Sequence, residues 1–179
     1  LRGRVWLLQR LSHSPVVAAH ALAFTSSHNA AAERQFRFPN EYGVQKKETT
    51  TTTVSGAGSI VLGRTPQPIA VRAFTLGRII DWHHQNASDM GIAMAPAALD
   101  TLHAHLAQTN STIDDYDWIL TGDLSKAGFG FLCDLLSQEG IHADSRFNDC
   151  GLMIYDVSRQ PVFCGGSGCA CSMCVSIAE

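Results

Sequence analysis

DWILTGDLSKAGFGFLCDLLSQEG, residues 117–140, holds a complete strand-to-helix unit. Trp118, Ile119 and Leu120 form the short apolar run of a buried strand, and Thr121-Gly122-Asp123 interrupts it. Ser125 is the expected N-cap, because a serine hydroxyl accepts from amides that a helix start leaves open. Phe129, Leu132, Cys133 and Leu136 then recur at helical spacing, and Gly140 ends the helix. A buried strand feeding an amphipathic helix indicates an α/β chain.

The flanks extend this pattern. Upstream, in APAALDTLHAHLAQTN (95–110), Ala95, Leu99, Leu102 and Leu106 share a helical face, with Pro96 suited to a first turn. Downstream, GLMIY (151–155) and PVFC (161–164) are predicted strands joined by the turn-forming DVSRQ, and CACSMCVSIA (169–178) is a predicted final strand. Near the amino end a helix followed by the strand VVAAHALAF (16–24) is expected. The polar stretch from Thr25 to Thr53 reads as a long ordered loop, because Phe36, Phe38 and Tyr42 are not residues of a disordered linker. Thr49 to Val54, SGAGSIVLG (55–63) and IAVRAFTLGRIID (69–81) are expected to be extended. Helices alternating with short strands give a layered α/β architecture with a mixed sheet.

The 179 residues are 45% hydrophobic and 16% charged, enough for one core. A net charge of −3 offers no basic footprint, so nucleic acid is not an expected partner. No apolar run approaches the roughly 20 residues that span a bilayer, so membrane association is expected to be peripheral. The opening LRGRVWLLQRLSHSPVVAAHALA imitates a signal peptide, but Gln9, Arg10 and His13 interrupt its apolar part. A missing upstream portion is the simpler expectation.

Four of the six cysteines fall in VFCGGSGCACSMC (162–174). Their spacing is not that of two separated ligand pairs, and an extended run would turn Cys169 and Cys171 away from Cys174, which argues against zinc. Neighbours on one strand also bridge poorly. Two readings stay open: small buried packing residues beside a tight glycine turn, or a functional thiol.

Six segments then acquire a common meaning: SSHNAAAERQFRFPNEYG, TVSGAGSIVL, DMGIAMAPAALDTL, DDYDWILTGDLSKAG, FNDCGLMIYD and GGSGCACS. In this order they resemble the stage V sporulation protein AD family, a relative of the thiolase and β-ketoacyl synthase III superfamily, from about Ser26 to Ser172. The resemblance implies a thiolase-like layered α-β-α fold with mixed sheets, present incompletely. Residues 1–64 would be the end of the first half with its long loop, and 65–179 the second half, truncated at its carboxyl end. It implies a sporulation protein that binds dipicolinic acid or its calcium chelate as a non-catalytic subunit of a membrane transport assembly. The expected setting is peripheral to the forespore or spore inner membrane, beside other stage V sporulation A-operon proteins and in a possible homodimer. No cofactor and no metal are expected. The alternative is an acyltransferase or condensing enzyme.

In that resemblance the nucleophilic cysteine lies upstream, and Thr121-Gly122-Asp123 stands where synthase III relatives carry a histidine. Asn148 takes the position of their asparagine, and Asp149 adds charge that opposes oxyanion stabilisation. No catalytic residue is therefore expected here. The expected ligand wall comprises Ser27 and His28 of the SSHN turn, Asn148 and Asp149 of the NDCG turn, and Gly166, Ser167 and Cys169 of the glycine-rich loop. Arg34 is a candidate for a ligand carboxylate, although its neighbours Glu33 and Glu41 also suit an internal ion pair. Asp149 would repel a free dianion unless a calcium ion, a water network or a hydrogen bond intervened. Cys169 and Cys171 match the family pattern, whereas Cys164, Met173 and Cys174 depart from it. His83 and His84 are expected at the surface.

Overall fold

The computed structural model describes residues 20–31, 52–65, 69–86, 89–160, 162, 164, 165, 170, 171 and 175. Strands β1 (His20–Ser27) and β2 (Gly56–Gly63) form an antiparallel pair in which Leu22 faces Val61 and Phe24 faces Ser59. Leu22, Phe24 and Val61 all point outward from this ribbon. The expected extended run 55–63 is thus a strand from Gly56 on, and the expected strand VVAAHALAF, described from His20, continues past Phe24 to Ser27.

Helix α1 (Met90–Thr109) begins five residues before Ala95. Asp89 caps it by accepting the Ile92 amide at 3.1 Å, so Pro96 sits inside the helix and not in its first turn. Its end is closed by Asn110 in the left-handed region (φ 51°), with the Ser111 amide reaching back to the Leu106 carbonyl at 3.0 Å. A 3₁₀ turn (Ile113–Asp115) leads to β3 (Ile119–Thr121), α2 (Ser125–Gln138) and β4 (Phe147–Asp149). Strands β3 and β4 are parallel with Ile119 opposite Phe147, so β3, α2 and β4 make one crossover unit. Gly140 closes α2 at φ 78°, as its position after the stripe suggested.

Three expected strands, GLMIY, PVFC and CACSMCVSIA, do not hold. GLMIY is not a strand: α3 (Cys150–Ile154) occupies it. Residues 69–81, expected to be extended, pair with no strand and are tied side-on to α1. There His105 Nδ1 lies 2.9 Å from the Thr75 hydroxyl, and the Arg78 guanidinium holds both oxygens of Asp100. Of the carboxyl-terminal segment expected to be a strand, Ala170, Cys171 and Val175 are helical, and Val162 and Cys164 of PVFC belong to no strand.

Residues on β3 point alternately to two packed layers. Ile119 joins Ala95, Leu124, Leu132, Leu136 and Phe147 between α1 and α2. Leu120 joins Cys150, Cys171, Val175, Val54, Met153 and Ile154 on the opposite side. The small parallel sheet is therefore covered on both faces, which suits parallel pairing. His84, expected at the surface, instead stacks on Trp82 with ring centres 5.0 Å apart, and Trp82 stacks on Phe131 of α2 at 5.2 Å.

Candidate functional site

The polar centre of the molecule lies where β3 and β4 deliver the chain to α2 and α3. Asp149 is completely buried there, at 0% exposure. Its Oδ2 accepts the Thr121 hydroxyl at 2.5 Å and the Leu124 amide at 2.7 Å. Its Oδ1 accepts amides from Ser125 at 3.0 Å, Gly151 at 3.0 Å and Leu152 at 3.3 Å. An isolated buried carboxylate costs several kcal/mol; five donors, four of them backbone amides at helix starts, replace the water it has lost. One side chain thereby caps two helices. Gly151 must lack a side chain, since a Cβ there would stand 2.1 Å from Asp123 Oδ1 and 3.0 Å from Asp149 Oδ1.

Ser125 does not cap α2 with its side chain, contrary to expectation; Leu124 occupies the cap position. Ser125 is 1% exposed and left-handed (φ 56°), with its hydroxyl donating to the Val162 carbonyl at 3.0 Å. The cap is supplied from a distance by Asp149, which frees the serine hydroxyl for another strand of chain. Beyond Val162, Cys164 donates to Asp89, and Gly165 (φ 82°) lies so close to the Asp123 carbonyl that a Cβ would stand 2.7 Å from it. Burial, then the adjacent Asp89 charge, pushes the Cys164 thiol up to about 12. Cys150, Cys164 and Cys171 are all buried, as the packing reading anticipates.

The SSHN turn is stitched to residues 53–55. Ser27 donates to the Val54 carbonyl at 2.6 Å, and Asn29 bonds the Ser55 hydroxyl at 2.8 Å and the Thr53 carbonyl at 2.9 Å. His28 is exposed. The same segment reaches the NDCG turn, because Val54 packs with Cys150 and the Tyr155 hydroxyl donates to the Thr52 carbonyl at 3.1 Å. Residues 52–55 thus connect Ser27 with the Asn148–Asp149 turn. Asn148 is half-buried, and its side-chain oxygen accepts the Asp149 amide at 2.9 Å. An open trough of about 450 Å³ lies on the ribbon beside Ser27, lined by Phe24, Thr25, Ser26, Ala57, Gly58 and Ser59. Arg34, Gly166, Ser167 and Cys169 lie outside the described residues.

Sequence reasoning assigns Asp89 no role and gives Ser125 the role of a cap, whereas the structure makes both organising residues. Asp89 was legible, being an aspartate directly ahead of the apolar run that begins at Met90. Ser125 was not, because its partner is remote in sequence.

These features define a mixed α/β protein built on a parallel β-α-β unit around an internal carboxylate. The chain belongs to the stage V sporulation protein AD family, whose model matches residues 11–179. It is 52% identical over 159 residues to stage V sporulation protein AD of Bacillus subtilis (strain 168), an alignment covering 89% of this chain and 47% of that protein. The chain therefore spans about half the length of this curated relative. Among the described residues no helix is long and apolar enough to cross a membrane.

Proposed function

We propose that the protein serves in sporulation as a non-catalytic subunit that binds dipicolinic acid or its calcium chelate, at the periphery of the forespore or spore inner membrane. Its partners there would be the other stage V sporulation A-operon proteins. Membership of a sporulation family supports the ligand class, since the sequence resemblance implies dipicolinate binding. The observation that carries the non-catalytic reading is the commitment of Asp149. An acyl-transfer enzyme needs amide donors aimed at a developing oxyanion, and here the amides of Leu124, Ser125, Gly151 and Leu152 all point at an internal carboxylate. The high-lying Cys164 thiol is likewise a poor nucleophile.

The proposed pocket wall keeps the Ser27–His28 turn, Asn148 and the glycine-rich run, with Arg34 as a candidate partner for a carboxylate. Asp149 supports that wall from within, its carboxylate held by neutral donors, and the thiolase-like layering with its halves divided near residue 64 is part of the same proposal. Dipicolinate offers two carboxylates and no activated acyl group, so binding without turnover is the expected chemistry. Titration calorimetry of the full-length protein with free dipicolinate and with its calcium chelate tests this, with saturable heat expected for at least one form. No heat with either form, together with hydrolysis of an acyl thioester, would move the assignment to the acyltransferase.

A further inference from the structure

We infer that Ser125 is a positioning residue, which transmits the placement of the buried Asp149 to Val162, Cys164 and Gly165 at the head of the glycine-rich run. The consequence for ligand affinity rests on the dipicolinate-binding reading; the consequence for these three residues does not. Two bonds hold Ser125 in its left-handed backbone. Its amide donates to Asp149 Oδ1 at 3.0 Å and its hydroxyl to the Val162 carbonyl at 3.0 Å. Residues other than glycine, asparagine and aspartate enter this region at a cost and stay there where the surroundings over-determine them. A helix start needs no left-handed residue, and Asp149 already supplies the cap. The hydroxyl is thus the part of Ser125 that serves something outside α2. Val162, Cys164 and Gly165 are each buried and each fixed by a different element: Val162 by Ser125, Cys164 by Asp89 at the start of α1, and Gly165 by close approach to the Asp123 carbonyl. Of these three anchors, the first is a single removable hydroxyl.

Two substitutions separate positioning from support of the fold. Ser125→Gly removes the hydroxyl but suits the left-handed backbone, so α2 should melt later than in Ser125→Ala. Ser125→Ala removes the same hydroxyl and leaves the backbone demand in place. Amide hydrogen exchange in the full chain should accelerate at Cys164 and Gly165 by about tenfold in both variants, the scale of one neutral hydrogen bond. Exchange within α2 should be slower in Ser125→Gly than in Ser125→Ala. Dipicolinate affinity should fall in both variants, and the melting temperature should fall further in Ser125→Ala than in Ser125→Gly, because only alanine keeps the cost of the left-handed backbone. Unchanged exchange at Cys164 and Gly165 in Ser125→Gly, or acceleration there only in step with α2, overturns the inference. Absence of dipicolinate binding by the parent protein would instead overturn the functional proposal, and the exchange contrast would still decide the role of Ser125.

Discussion

Gly91 of α1 and Gly128 of α2 meet backbone to backbone: a Cβ on Gly128 would stand 2.4 Å from the Gly91 carbonyl carbon, and one on Gly91 would stand 2.2 Å from the Leu124 carbonyl oxygen. This contact fixes how closely the two helices approach above the parallel strands. No rotamer relieves it, since both colliding groups are main chain.

Gly128→Ala should therefore destabilise the protein by about 2 kcal/mol, the scale of overpacking a closed contact. Gly130, two residues along the same helix, has nothing within 4 Å of a built Cβ. Gly130→Ala should stabilise by up to about 1 kcal/mol through helix propensity alone. Denaturant midpoints of the two variants should move in opposite directions, and movement together would contradict the contact.

Asp149→Asn should cost about 3 kcal/mol, because it removes charge-assisted bonds and aims an amide group at other donors at a fully buried position. The loss belongs to folding, so chemical denaturation of the unliganded protein should reveal it. A variant with parent stability and altered ligand affinity would show that the carboxylate faces the ligand instead.

Cys164 makes stability fall at alkaline pH. Its folded value near 12 lies above the ordinary thiol value of 9.0, so the native state holds the proton over an interval in which the unfolded chain has released it. The contribution is complete below pH 9 and is lost as pH rises towards 12. Cys164→Ala should flatten the decline of stability with pH in that window. In the native protein at neutral pH, iodoacetamide should leave Cys164 unlabelled until denaturant is added.

The acid side involves the clasp between residues 69–81 and α1. The bond from Arg78, outweighing partial burial, holds the Asp100 carboxyl below its ordinary value of 3.8. The clasp is therefore intact above that pH and is lost as pH falls through the lower folded value. Limited proteolysis with pepsin should cut near Leu76 at milder acidity in Asp100→Asn than in the parent, and identical pH profiles would refute the clasp. The exposed pair should be screened by salt.

Sequence periodicity by itself determined the elements whose signal is local. The stripe from Phe129 to Leu136, the stop at Gly140 and the extended run 55–63 depend on neighbours within a turn or across a short alternation. The ordered set of six segments also determined the family, because each carries residue types that no single packing argument would demand together. Only the tertiary structure decided the helix at Cys150–Ile154. A five-residue apolar run suits a buried strand or a buried helix equally well, and the outcome rests on Asp149, whose partners Thr121, Leu124 and Ser125 lie 24 to 28 residues away in sequence. The same holds for Ser125, whose hydroxyl answers a carbonyl 37 residues on, and for residues 69–81, whose extended pattern found α1 as a neighbour. Where the free energy of an element comes from a distant donor or an approaching backbone, its own residues carry no signature of the result.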